Sequence, residues 1–297
     1  MTAAQVNGIT IEYDEHGDPG GEPLLLVMGL GAQLIDWPMG FVDLLVERGF
    51  RVIRFDNRDI GLSTKIDAPA PTVRQMVMAT ISPRFAHPAY FLKDMADDAA
   101  ALLDHLGIES AHVVGASMGG MIAQTIAIEH PAKVRSLVSI MSNTGDRKHG
   151  KVAFKLMRRM PKLLAGSRKD PVGGGVVVGR LIAGPHFDEA EARALIEADL
   201  ARDSDSTGTA RQTVAIAGSP DRTADLGRVT VPTLVVHGLV DPLVKPSGGI
   251  TTAEAIPNAK LLMFPDMGHD LPHNRWDEVA EAIAANAREA KAVLPAS

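Results

Sequence analysis

Cysteine is absent from the 297 residues. That excludes disulfides, thiolate chemistry and cysteine-ligated zinc, and it fits a reducing compartment. A basic excess is also missing. Lys plus Arg number 30 against 36 Asp plus Glu, a net charge of −6, so nothing in the global balance points to nucleic acid. Long hydrophobic runs are lacking too. The longest, such as Leu24 to Leu30, falls far short of the ~20 residues that span a bilayer. Met1 to Val6 carries neither a basic nor an apolar leader region, and the cytoplasm is the expected location. Internal repeats and low-complexity tracts are absent.

What is present is ordinary globular material, 45% hydrophobic and 22% charged, enough to bury one large core. Short apolar runs alternate with helical patterns. Leu24 to Met28, Arg51 to Phe55, Ala111 to Val114, Val134 to Ile140, Thr233 to His237 and Leu261 to Phe264 read as buried strands. Trp37 to Arg48, Leu92 to Leu106, Met118 to His130 and Trp276 to Ala292 read as helices. This alternation predicts an α/β fold with a mostly parallel central sheet and helices on both faces. Ile9 to Tyr13, preceded by Asn7-Gly8, reads as an antiparallel edge element.

Residues 146–218 break the rhythm. They hold a basic segment, the cluster Gly173-Gly174-Gly175 and a second helix near Asp188 to Ala201. So long an insertion needs its own structure. It is expected to be a helical lid over a core made of 1–145 and 219–297, with the glycine cluster as its hinge. Arg147 to Lys169 contains Lys148, Lys151, Lys155, Arg158, Arg159, Lys162 and Arg168, while Phe154, Met157 and Leu164 share a helical face. A solvated helix face is the first reading, and docking on an anionic lipid surface the second.

Gly115-Ala116-Ser117-Met118-Gly119 is a G-x-S-x-G pattern, weak alone but here set between a strand and a helix. That context forces a tight turn with the hydroxyl of Ser117 standing clear. Such a hydroxyl needs an adjacent base, and the base an orienting acid. His269 follows the strand ending at Phe264, and Asp241 follows the strand ending at His237, so both fall on the sheet edge that carries Ser117. Asp266 and Asp270 are the rival acids. The oxyanion needs two backbone donors. Met118 supplies one, and the turn Met28-Gly29-Leu30-Gly31 supplies the other, assigned to Leu30 with Gly29 as its neighbour. His237 and His112 read as structural, the other histidines as solvated or locally bonded. Asp56 and Arg58 read as a loop anchor through a mutual ion pair. Gly29-Leu30-Gly31 is no dinucleotide fingerprint, because Leu34 takes the third glycine's place, and Gly173-Gly174-Gly175 lacks the Lys-Ser/Thr of a phosphate loop.

These motifs, with Asp56-Asn57-Arg58-Asp59-Ile60-Gly61-Leu62-Ser63 and the late Gly268-His269, make the chain resemble the α/β-hydrolase superfamily. Within it, the chain is similar to small lidded esterases and lipases of the aclacinomycin methylesterase kind. The resemblance covers most of the chain and implies a triad of Ser117, Asp241 and His269. One departure stands out: many members carry His-Gly at the oxyanion turn, where this chain has Met28-Gly29. The expected activity is cleavage of a small, apolar carboxylic ester through an acyl-enzyme, with no cofactor or metal. Cofactor-free perhydrolysis of the haloperoxidase type, carbon–carbon hydrolysis, and a non-catalytic receptor on the same scaffold are the alternatives. Oligomeric state and acyl length are not legible.

Overall fold

The computed structural model describes residues 2–293, and the side chains of Thr80, Ile81, Pro161, Leu164, Arg168 and residues 291–293 lie outside the described residues. Eight strands form one sheet: β1 Thr2–Val6, β2 Ile9–His16, β3 Glu22–Val27, β4 Phe50–Phe55, β5 Ala111–Ala116, β6 Val134–Ile140, β7 Thr233–Gly238 and β8 Lys260–Phe264. Their spatial order is β1-β2-β4-β3-β5-β6-β7-β8. β1 and β2 are antiparallel additions, and β4 through β8 run parallel with β3.

The inner strands are rich in apolar residues on both faces because both sheet faces are covered. Leu24, Leu25, Leu26 and Val27 are all fully buried. Alternation decides which face each one serves. Leu25, Val27, Ile53 and Val113 pack under α3 (Leu92–His105) and α4 (Met118–Glu129). Leu24, Leu26, Val52 and Val114 pack under α1 (Met39–Glu47) and α12 (Trp276–Val293). A further helix, α2 (Val73–Ile81), follows β4.

Ile9 to Tyr13 is not the sheet edge that its sequence suggests. It lies inside the sheet, and β1 forms the edge. The reason is the turn. Asn7 and Gly8 both have positive φ, 47° and 77°, the geometry of a two-residue hairpin that folds Thr2–Val6 back onto β2.

Between β6 and β7 the chain builds α5 (Phe154–Met157), α6 (Met160–Lys169), α7 (Pro171–Ile182), α8 (Glu189–Arg202), α9 (Thr207–Gly218) and α10 (Thr223–Leu226). α10 already packs with α4 and with α11 (Ser247–Ala255) of the core. Gly173 to Gly175 form no hinge; they sit inside α7. Asp170 caps that helix by accepting from the Gly173 N–H at 2.8 Å. A Cβ on Gly174 would run into the backbone of Ser167 in α6, and one on Gly175 would lie 2.8 Å from Ile196 of α8. The glycines therefore let three helices approach closely. Among the described residues no helix is long and apolar enough to cross a membrane.

Candidate active site

β3 pairs with β4 on one side and β5 on the other, so the chain reverses direction across the sheet beside β3. Ligands in open parallel sheets bind at such a reversal, outside the carboxyl ends of the strands. The turns leaving β3, β5, β7 and β8 all open on that edge.

Ser117 terminates β5 and begins α4. Its backbone has φ 56° and ψ −119°, a conformation a non-glycine residue adopts only under constraint, at a cost of about 1–3 kcal/mol. The constraint is visible. Its N–H donates to Ile140 O at 2.9 Å, and its carbonyl accepts from Ser142 Oγ at 2.8 Å and Gly120 N–H at 3.0 Å. Two flanking glycines make the turn sterically possible. A Cβ on Gly115 would collide with the carbonyl of Gly119, and one on Gly119 with the carbonyl of Val27.

His269 follows β8. Its Nε2 lies 2.9 Å from Ser117 Oγ, and its Nδ1 lies 2.8 Å from Asp241 Oδ2. The Asp241 carboxylate is buried and is held in turn by the N–H groups of Leu243 and Val244, at 2.8 and 2.9 Å, on its other oxygen. The three side chains therefore form one hydrogen-bonded chain, open to solvent at the serine end: Ser117 is partly exposed, the His269 side chain is 7% exposed and that of Asp241 is 0%. Such a chain can draw a proton off the hydroxyl while the carboxylate balances the imidazolium.

The rival acids are committed elsewhere. Asp270 accepts from the N–H groups of Gly184 and Gly268, and Asp266 pairs with Arg275 and His186. His237 is fully buried, its Nε2 donating to Val244 O at 2.8 Å, and its burial holds its pKa below the ordinary histidine value. His112 is also buried, its ring nitrogens at Ser136 Oγ and Glu22 Oε2. His269 and His273 stand four apart, a spacing that suits a metal pair on a helix. Here Pro272 intervenes, and the His273 ring packs against Trp276 with centroids 4.5 Å apart.

The turn after β3 lies against the serine. A Cβ on Gly29 would be 3.2 Å from Ser117 Cβ. Asn57 Nδ2 donates to Met28 O at 2.9 Å and fixes the entry to the turn. Gly31 N–H donates to Gln212 Oε1 at 2.9 Å, and Ala32 N–H to Gly29 O. Among the described residues no protein acceptor takes the N–H of Leu30 or of Met118.

Asp56 and Arg58 do not pair with each other. Their side chains, two residues apart, diverge to different partners. Asp56, fully buried, accepts from Arg202 Nη2 at 2.9 Å and from the N–H groups of Leu34 and Leu62. Arg58 makes two hydrogen bonds to Asp98, at 2.6 and 2.7 Å. Asp59 binds Arg211 through both oxygens, and this guanidinium lowers its pKa against the opposing effect of burial. Gln33, too, reaches the insertion, donating to Asp199 O at 2.8 Å and accepting from Arg202. Sequence reading missed Gln33, Arg202, Arg211 and Gln212. Each is an ordinary polar residue whose partner lies 140 or more positions away, so no local pattern marks it.

Near Gln33, Asp36 and Asp199 face one another. Burial, and then the charge of Asp199, pushes the Asp36 carboxyl well up, and burial pushes Asp199 up to about 6.

The model of the alpha/beta hydrolase fold family matches residues 22–275. Rhodomycin D methylesterase DauP of Streptomyces sp. (strain C5) is 28% identical, covering 95% of this chain and 96% of its own. Rhodomycin D methylesterase DnrP of Streptomyces peucetius is 29% identical over the same shares. Among solved structures, the esterase EaEST from Exiguobacterium antarcticum superposes with a TM-score of 0.75 at 20% identity, covering 97% of this chain and 99% of that one.

Proposed function

The chain belongs to the alpha/beta hydrolase fold family, and on that premise we propose that it is a serine carboxylesterase with Ser117 as nucleophile, His269 as base and Asp241 as orienting acid. The continuous Asp241–His269–Ser117 hydrogen-bonded chain carries this reading. The two methylesterase relatives favour ester cleavage over perhydrolysis, carbon–carbon hydrolysis or a receptor role.

Ser117 Oγ attacks the ester carbonyl as His269 Nε2 takes its proton. Asp241 holds Nδ1 and stabilises the imidazolium. The N–H groups of Leu30 and Met118 receive the developing oxyanion, and a preorganised donor of this kind is worth about 3–4 kcal/mol. The tetrahedral adduct collapses, and the alcohol leaves with the proton from His269. Water then gives its proton to the same imidazole, attacks the acyl-serine and releases the acid.

Residues 146–218 act as the lid in this reading. The carbonyl of Ile182, at the end of α7, accepts from the His269 N–H at 2.7 Å, so the insertion reaches the base itself. Leu30, Leu239 and Val240 carry apolar side chains that are 39–50% exposed on the loops of the site, which suits an apolar ester of the lipase or esterase class. The lack of cysteine fits work in the cytoplasm.

A panel of p-nitrophenyl esters of increasing acyl length tests the reading. Wild type turns over at least one of them, and Ser117→Ala loses activity by about 10³-fold or more while retaining its circular-dichroism spectrum. Activity within tenfold of wild type in that variant refutes it.

A further inference from the structure

Between residues 147 and 169 stand nine lysines and arginines and no carboxylate, in a chain whose net charge is −6. Positive charge is thus concentrated in one stretch of an otherwise acidic protein. The fold presents this stretch outward. Leu156 is the buried anchor of α5, while Phe154 is 64% and Met157 53% exposed on either side of it. Lys151, Lys155, Arg158, Arg159 and Lys162 are exposed around them, and the Arg158 guanidinium lies 5.8 Å from the centre of the Phe154 ring. Neighbouring ion pairs run between other residues, His149 with Asp146 and Arg180 with Glu189. Arg159 and Lys162 continue onto a cleft of about 780 Å³ between α6, α7 and α8, also lined by Leu163, Val177 and Leu181 and by the carboxylates Asp170 and Glu189.

Two features select the partner. Exposed cations call for a polyanion, and exposed large apolar side chains among them call for a partner with an apolar interior. A nucleic acid satisfies the first and gives Met157 nothing. The interface of an anionic bilayer satisfies both. Its place in the fold gives the contact a use. The Ala153 N–H, one residue before α5, donates to Pro242 O next to Asp241, so the basic face adjoins the site loops.

We propose that the face formed by α5 and the start of α6 docks the protein on an anionic phospholipid surface, with Phe154 and Met157 entering the headgroup region. This docking is independent of the catalytic assignment, because none of its residues belongs to the triad or to the oxyanion turn.

The test is flotation of the full chain with phosphatidylcholine vesicles, with and without about one-third phosphatidylglycerol, at low and at about 0.5 M salt. Wild type floats with the anionic vesicles at low salt and is released at high salt. Lys155→Glu/Arg158→Glu/Arg159→Glu lowers that partition by about 100-fold or more, and Phe154→Ser/Met157→Ser by about tenfold. Both variants hydrolyse a short water-soluble ester as wild type does, which certifies their fold. Failure of wild type to float with anionic vesicles, equal flotation with neutral ones, or undiminished flotation of the triple variant overturns the proposal. So does retention of wild type on a random oligonucleotide but not on vesicles.

Discussion

The sheet core and the helical insertion are built on different principles. The core is held by shape: mostly apolar parallel strands, glycines where backbones touch, and a strained serine fixed by its neighbours. The insertion adds charge and hydrogen bonds to the apolar packing of Val214 and Ala215, through Arg202 on Asp56, Arg211 on Asp59, and Gln33 and Gln212 across the same seam. Hydrogen bonds and ion pairs are directional in a way apolar contacts are not. The insertion can therefore set the turn after β3 at a defined position beside Ser117, and it becomes part of the site rather than a cover on it.

The largest effect should come from the core. Gly119→Ala puts a methyl group into the carbonyl of Val27, where only main chain could yield. A loss of about 3 kcal/mol or more in urea unfolding is expected, with esterase activity falling alongside. An unchanged midpoint would mean that the elbow is not tightly packed.

Gln212→Ala tests the seam. It leaves the Gly31 N–H and the Arg58 carbonyl without a partner in a buried place. The expected cost is about 1–3 kcal/mol in stability. Because Leu30 rides on the loosened turn, kcat should drop about tenfold with KM little changed, and Gln212→Glu, which keeps the acceptor, should recover part of it. A rise in KM alone would assign Gln212 to substrate binding instead.

The Asp36–Asp199 contact should make the seam pH-sensitive. Both carboxyls titrate above their unfolded values, so the folded state holds the extra proton. Their contribution is fully present below the ordinary aspartate range, about 4, and is lost as pH rises through about 6. Asp199→Asn removes the charge that causes the loss. Its Tm should exceed that of wild type by about 2–4 °C at pH 8 and match it at pH 5. An equal difference at both values would mean that the pair does not share a proton.

The smallest effect contrasts with the first. A Cβ on Gly166, in α6, meets nothing within 4 Å. Gly166→Ala should stabilise the chain by about 0.5–1 kcal/mol through helix propensity alone, read from the same urea midpoints. Destabilisation there would show hidden packing in the insertion.

The same contrast explains what the sequence could reveal. β6 runs over the residues its apolar run marks, because a strand buried on both faces announces itself by composition. The G-x-S-x-G turn is local, so its glycines and serine are legible together. Asp241 and His269 are legible as residues at strand ends, though their distances are not. The insertion was less legible. Gly173 to Gly175 suggest a flexible joint in isolation and become a packing surface once α6 and α8 are beside them. Asp56 and Arg58 suggest each other as partners, because the true ones, Arg202 and Asp98, lie 146 and 40 residues away. The Asn7-Gly8 turn signal is legible, but the short strand before it is not.

The central claim is that the hydroxyl of residue 117 is activated by the imidazole of residue 269. Labelling the native protein with a fluorophosphonate and mapping the adduct by mass spectrometry tests this most directly. A single modified peptide containing Ser117 is the expected result, with labelling slowed by orders of magnitude in His269→Ala. An adduct on another serine, or undiminished labelling without the histidine, would contradict the claim.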